Sequence, residues 1–188
     1  MILPIVAYGN PILRMIAKKI EPDHPDIKEL VEDMFETMYH SNGLGLAAPQ
    51  IDQSLQLFVI DADVLKEDYP EAEGFKRVVI NPEILEESEE EWEFDEGCLS
   101  LPGINEVVIR PSAIKVRYFD QDFNEIIEDL DGITARVFQH EFDHLQGKVF
   151  TDRLSTIRKT FLKKQLNNIS SGNVETKYRM KINRRRKA

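Results

Sequence analysis

His140-Glu141-Phe142-Asp143-His144 sets two imidazoles four positions apart. On a helix, residues at that spacing share a face, so both rings can reach one metal ion. Glu141, one position on from His140, falls where a carboxylate touches a metal-bound water rather than the metal, an arrangement suited to metal-assisted hydrolysis. Ile133 and Val137 precede His140 at helical spacing, so this face points inward, and two inward histidines need a partner that a metal would supply. A catalytic metal also needs a third protein ligand and an open position. Beyond His144 the chain has no histidine, and no glutamate before Glu175, so the third ligand is expected upstream. Cys98, set in Glu96-Gly97-Cys98-Leu99-Ser100, is the natural candidate. A Cys/His/His set suits Fe(II), Zn(II), Co(II) or Ni(II), and such a metal would hold Cys98 as the thiolate.

A second feature is Gly43-Leu44-Gly45-Leu46-Ala47-Ala48-Pro49-Gln50, whose small residues let another backbone or a substrate approach closely. It lacks the terminal Gly-Lys-Ser/Thr of a phosphate loop, which argues against nucleotide binding. Gln50 reads equally as a surface amide or as an oxyanion donor beside a metal. HExxH alone also fits a zinc endopeptidase, and a Cys/His/His set closed by a fourth ligand fits a structural site in a binding module.

Composition narrows the class. The chain has 188 residues, 24 Lys+Arg against 34 Asp+Glu, a formal charge of -10, and 41% hydrophobic residues. That is one domain's length, too apolar for a disordered chain and too acidic for a general nucleic-acid binder. A single cysteine excludes an intrachain disulfide and leaves an inert thiol or a thiolate with a task. No stretch approaches the roughly 20 apolar residues of a membrane span, and the apolar start is broken by Pro4 and Gly9-Asn10-Pro11, so a signal peptide is not expected. A reducing cytoplasm is the expected compartment, with neither DNA nor membrane as a partner.

The elements that must position these residues follow from pattern. Asn10-Pro11 predicts a capped short helix through Ile16 and Ala17. Asp26 predicts the cap of a longer helix carrying Ile27, Leu30, Val31, Met34 and Met38 at helical spacing and fading at Ser41-Asn42-Gly43. Strands are predicted at 57–60, at 77–82 with Asn81-Pro82 as the terminating turn, at 114–119 and at 124–128, the last two as a hairpin. A helix from Thr134 to Leu145 ends at Gly147, and an amphipathic stretch runs from Ser155 through Ile157, Phe161, Leu162 and Gln165. The acidic run around Trp92 reads as solvated surface. Near the end, Val174, Tyr178, Met180 and Ile182 keep even spacing, predicting a strand before a basic tail of Arg184-Arg185-Arg186-Lys187. The order predicts an α+β domain: mostly antiparallel sheets packed around a central HExxH helix, with an N-terminal helix and a C-terminal helix and strand. Residues 1–173 read as the catalytic domain, and 174–188 as the strand and tail.

Residues 43–50, 96–100 and 139–144 stand, in that order, as G-φ-G-φ-A-A-x-Q, E-G-C-φ-S and Q-H-E-x-D-H. Together they resemble the peptide deformylases, as does the opening Tyr8-Gly9-Asn10-Pro11-Ile12-Leu13-Arg14. Leu-Pro after Ser100 is similar to the bacterial type-I-like branch.

The resemblance implies removal of the formyl group from N-terminal formyl-methionine of nascent chains, releasing formate. It implies Cys98, His140 and His144 as ligands of a metal, typically Fe(II) and often replaced by Zn, Ni or Co. Glu141 would be general base and then acid, with Gln50 and the Leu99 N–H holding the oxyanion. Gly43, Gly45 and Gly97 would adjoin the substrate, Gly45 letting its backbone pair strand to strand, while Leu44, Ile133 and Val137 line the methionine pocket. Asp143 would pair with Arg110 as support behind the ligands. Asn105 stands where some relatives carry arginine, and Arg136 where relatives often carry an apolar residue. The tail could touch ribosomal RNA, because the substrate emerges from the ribosome.

Overall fold

The computed structural model describes residues 1–183; the predicted basic tail at 184–187 lies outside them. Nine strands are described: β1 (Ile5–Val6), β2 (Gly45–Ala47), β3 (Leu57–Asp61), β4 (Lys76–Glu87), β5 (Glu91–Gly97), β6 (Asn105–Pro111), β7 (Ala113–Phe119), β8 (Glu125–Asp131) and β9 (Met180–Lys181). Three α-helices accompany them: α1 (Ile27–His40), α2 (Gly132–Leu145) and α3 (Thr156–Ser171). Five strands form one antiparallel sheet in the order β2-β3-β4-β7-β8, so β2 is an edge strand. β5 and β6 form a separate antiparallel hairpin, and β9 pairs with β1 in parallel. The class is α+β with mostly antiparallel pairing.

The large sheet is covered on both faces. Phe58 and Ile60 of β3 pack with Val116, Tyr118 and Phe138 beneath α2. Leu57 and Val59, facing the other way, pack with Val31, Met34 and Met38 of α1. Burial on both sides is why β3 reads as an unbroken apolar run. A third cluster joins Leu162, Leu166 and Ile169 of α3 to Leu101, Ile104, Val108 and Phe150. Nearly every side of α2 is therefore covered, and polar residues such as Arg136, Gln139, Glu141 and Asp143 are buried with it. Gly147 closes α2 at φ +68°, where an added Cβ would meet the Arg14 backbone at 2.7 Å, so only glycine fits that stop.

Several local expectations need correction. The first helix is a single 3-10 turn, Pro11–Arg14; Asn10 does cap it, accepting from the Ile12 N–H at 3.2 Å. Asp26 precedes α1 at φ 60° and makes no side-chain cap. Asn81-Pro82 does not end β4: the strand continues through a register shift, with Asn81 at φ 50°. The Asn81 side chain bonds both the N–H and the carbonyl of Ile20, at 2.9 and 2.8 Å, which stabilises the bulge. α3 turns Leu162, Leu166 and Ile169 inward, while Ile157 and Phe161 are about 70% exposed. Within the acidic run Trp92 turns inward as part of β5, its ring 4.9 Å from that of Phe94 and tilted 50° to it. Only Met180–Lys181 of the predicted terminal strand pairs.

Candidate active site

Two structural pieces converge at the site. α2 presents His140 and His144 one turn apart, their rings 5.3 Å between centroids and edge to face. β5 ends at Gly97 and delivers Cys98 in the turn that follows. One ligand atom from each of Cys98, His140 and His144 lies within 4.8 Å of the others. Cys98 Sγ stands 3.4 Å from His144 Nε2. A thiolate at about 2.3 Å and an imidazole at about 2.0 Å from a tetrahedral ion would be separated by roughly 3.5 Å. The donor set and its spacing therefore fit one divalent ion.

The hairpin and α2 are fastened by a buried ion network. Glu96 accepts from Arg110 Nε and Nη2 at 2.7 and 2.9 Å, and from Arg136 Nη1 at 2.8 Å. Its Oε2 also meets His140 Nδ1 at 2.8 Å, leaving Nε2 as the ring nitrogen available to a metal. Arg110 continues to Asp143 at 2.7 Å, and Asp143 takes two further bonds from Arg153 at 2.7 and 2.8 Å. Burial opposes the Glu96 charge, yet the bonds to Arg110 and His140 hold its carboxyl well below the usual range. Burial likewise opposes charge on His140, but Cys98 and Glu96 together raise its pKa well above the ordinary value. For His144, burial first and the neighbouring His140 charge second lower the pKa to about 3.

Glu141 sits against Gly45 of β2, 4% exposed, with Oε2 unpartnered. Burial pushes its carboxyl up to about 7, so it can exchange a proton near neutral pH. Gln50 is not a surface amide: it is 2% exposed, in the 3-10 turn Ala48–Ile51. Its Oε1 accepts from the Ala47 N–H at 2.9 Å, which aims Nε2 at Ser100 Oγ (3.2 Å) and Cys98 Sγ (3.5 Å).

These groups open on a cavity of about 490 Å³. Ile133, Val137, Leu44 and Leu99 supply apolar wall, and Gly43, Gly45 and Gly97 line it beside them. A Cβ on Gly43 would come within 2.8 Å of Leu99 Cδ1. Arg110 and Asp143 stand behind the site rather than in the cavity, both buried. Asn105 lies opposite Gly97 in the hairpin and donates to Asp95 at 3.3 Å. Arg136 packs over Trp92 at 5.2 Å and bonds the carbonyls of Val108 (3.1 Å) and Trp92, so it clamps the hairpin as well as touching the cavity.

Residues 2–160 match the family described as polypeptide deformylase. The chain belongs to that family. A peptide deformylase of Cytophaga hutchinsonii is 48% identical over 182 residues, covering 97% of this chain and 98% of its own. One from Flavobacterium psychrophilum is 44% identical over 189 residues, covering 97% of each. The solved peptide deformylase of Thermus thermophilus superposes with a TM-score of 0.81 at 42% identity, over 92% of this chain and 99% of that one. As a member of this metalloenzyme family, the chain is a hydrolase that removes the formyl group from N-terminal methionine.

Sequence reasoning misses the connecting residues of this deformylase site. Glu96 enters it only as part of a motif, although it joins two arginines to His140. Ser100 likewise enters only as a motif position, while Arg153, ten residues from Asp143, and Tyr178, 79 residues from Leu99, leave no spacing pattern that marks them.

Proposed function

We propose that Cys98, His140 and His144 hold one divalent ion, natively Fe(II), with Zn(II), Ni(II) or Co(II) as substitutes, and that Glu141 moves the protons of deformylation. The observation that carries this reading is the unpartnered Glu141 carboxylate, buried beside the Cys/His/His set at the wall of the cavity. When bound, the ion supplies Lewis acidity that makes water acidic enough to attack near neutral pH.

This chain's residues do the rest. Ile133, Val137 and Leu44 take the methionine side chain, while the β2 edge at Gly45 pairs with the extended peptide backbone. Glu141 accepts the proton of the attacking water. As the formyl carbon becomes tetrahedral, Gln50 Nε2 and the Leu99 N–H donate to its oxygen. Glu141 then delivers the proton to the departing nitrogen as the C–N bond breaks, releasing formate and a free methionine amine. Glu96 fixes the His140 tautomer, while Arg110 and Asp143 hold Glu96 and α2 in register.

In this reading the catalytic groups lie within residues 1–173, and the segment that follows adds to the wall of their cavity. The substrate is the formylated nascent chain, which places the enzyme in the cytoplasm, where a thiolate ligand also stays reduced. A passing ribosome contact is supported by α3, which carries exposed Lys159, Lys163 and Lys164 and no acidic residue. Cosedimentation with ribosomes at low salt, lost at high salt, tests that contact.

The main test is formate release from a formyl-Met peptide by anaerobically purified protein, with metal measured in the same sample. Formate release in proportion to bound metal supports the reading. Cleavage of internal peptide bonds with formyl-Met peptides untouched would favour a zinc endopeptidase instead.

A further inference from the structure

The residues matched to the family end at 160, but the wall of the cavity does not. Glu175, Thr176, Lys177 and Tyr178 line it too, on the same cavity as Cys98 and His140. This segment is pinned at both ends. Downstream, β9 pairs with β1, the Ile5 N–H donating to the Arg179 carbonyl at 2.8 Å and the Ala7 N–H to the Lys181 carbonyl at 3.0 Å. Upstream, Val174 packs against the α3 cluster. Between these anchors the Tyr178 hydroxyl donates to the Leu99 carbonyl at 2.8 Å, tying the segment to the residue after Cys98. Thr176 Oγ1 donates to the Tyr178 carbonyl at 2.7 Å, stiffening the bend. Val174, Thr176, Tyr178 and Met180 alternate inward, which leaves Glu175 and Lys177 exposed.

The geometry points to this strap as a specificity-determining wall that reads the charge of the residues following methionine. This deepens the deformylase reading and rests on it. An extended peptide with its formyl end at Cys98 and His140 and its methionine between Leu44 and Val137 must send its next residues out of the cavity. Two exposed, oppositely charged side chains line that cavity on a segment held by backbone pairing. Lys177 favours an acidic side chain on the emerging peptide, and Glu175 a basic one. Because both are exposed, the effect is modest and salt-dependent.

Charge reversals at exposed positions test this without disturbing the core. Wild type, Lys177→Glu and Glu175→Lys are compared on formyl-Met-Ala and on longer formyl-Met peptides carrying Asp or Lys after the first two residues. On the Asp peptides, kcat/KM is expected to fall about 3- to 10-fold in Lys177→Glu; on the Lys peptides it falls similarly in Glu175→Lys. Formyl-Met-Ala should change less than twofold, melting temperature should hold, and the differences should shrink in about 1 M salt. Equal changes on short and long peptides, or long-peptide rates blind to charge, would overturn the strap's role while leaving deformylation standing. A wild-type protein inert on every formylated peptide would overturn both.

Discussion

Gly45 gives up its side-chain space to Glu141: a Cβ at Gly45 would lie 2.5 Å from Glu141 Oε1 and 2.8 Å from its Cγ. The small residue that opens β2 thus serves the enzyme's own carboxylate as well as an approaching backbone. Gly45→Ala should push the Glu141 side chain aside. Because a flexible carboxylate can yield, stability should change by less than about 1 kcal/mol, while kcat falls about 100-fold from misplacement. Steady-state kinetics beside a melting curve check this; unchanged kcat in a folded variant would contradict it.

Arg110 is fully buried between Glu96 and Asp143. Arg110→Ala leaves two buried carboxylates short of a partner, so about 3–5 kcal/mol of stability should be lost. Denaturant unfolding at matched metal content measures it. A loss under about 1 kcal/mol would show that the network relaxes without Arg110.

Tyr118 predicts an alkaline limit on stability. Its ring is buried and its hydroxyl donates to Glu128 at 2.7 Å. Burial first, and that bond second, raise its pKa above the ordinary value. The unfolded chain ionises near pH 10 while the folded one still holds the proton, so the stabilisation is complete below about pH 10 and is lost as pH rises toward the folded value. Stability should fall by up to about 1.4 kcal/mol per pH unit above that point, and Tyr118→Phe should flatten this part of the slope. Urea titrations at pH 9 to 11 check it; equal slopes would exclude Tyr118 as the cause.

α3 tests the reassigned helix face. Leu162→Ala, at a buried position, should cost about 2–4 kcal/mol, whereas Phe161→Ser, one residue earlier and exposed, should cost under about 0.5 kcal/mol. Reversed magnitudes would restore the face carrying Ile157 and Phe161.

The features legible in the sequence are those whose signal is local. His140 and His144 announce themselves by spacing on one helix, and β7 and β8 by alternation around a short turn. Cys98 stands out because the chain has no second cysteine. What escapes depends on partners far along the chain. Glu96 meets arginines 14 and 40 residues away, and Tyr178 reaches back 79 residues to Leu99. Asn81-Pro82 carries a sound turn signal that tertiary bonding to Ile20 overrides. The β5 strand is masked by its outward acids, although Trp92, Phe94 and Glu96 keep the inward period of two.

Proton transfer by Glu141 is the central claim, and Glu141→Ala in metal-loaded protein tests it most directly. Formate release from a formyl-Met peptide should fall by about 10²- to 10⁴-fold while metal analysis still finds one ion per chain. Wild-type rates from that variant, with its metal in place, would contradict the assignment of proton transfer to this carboxylate.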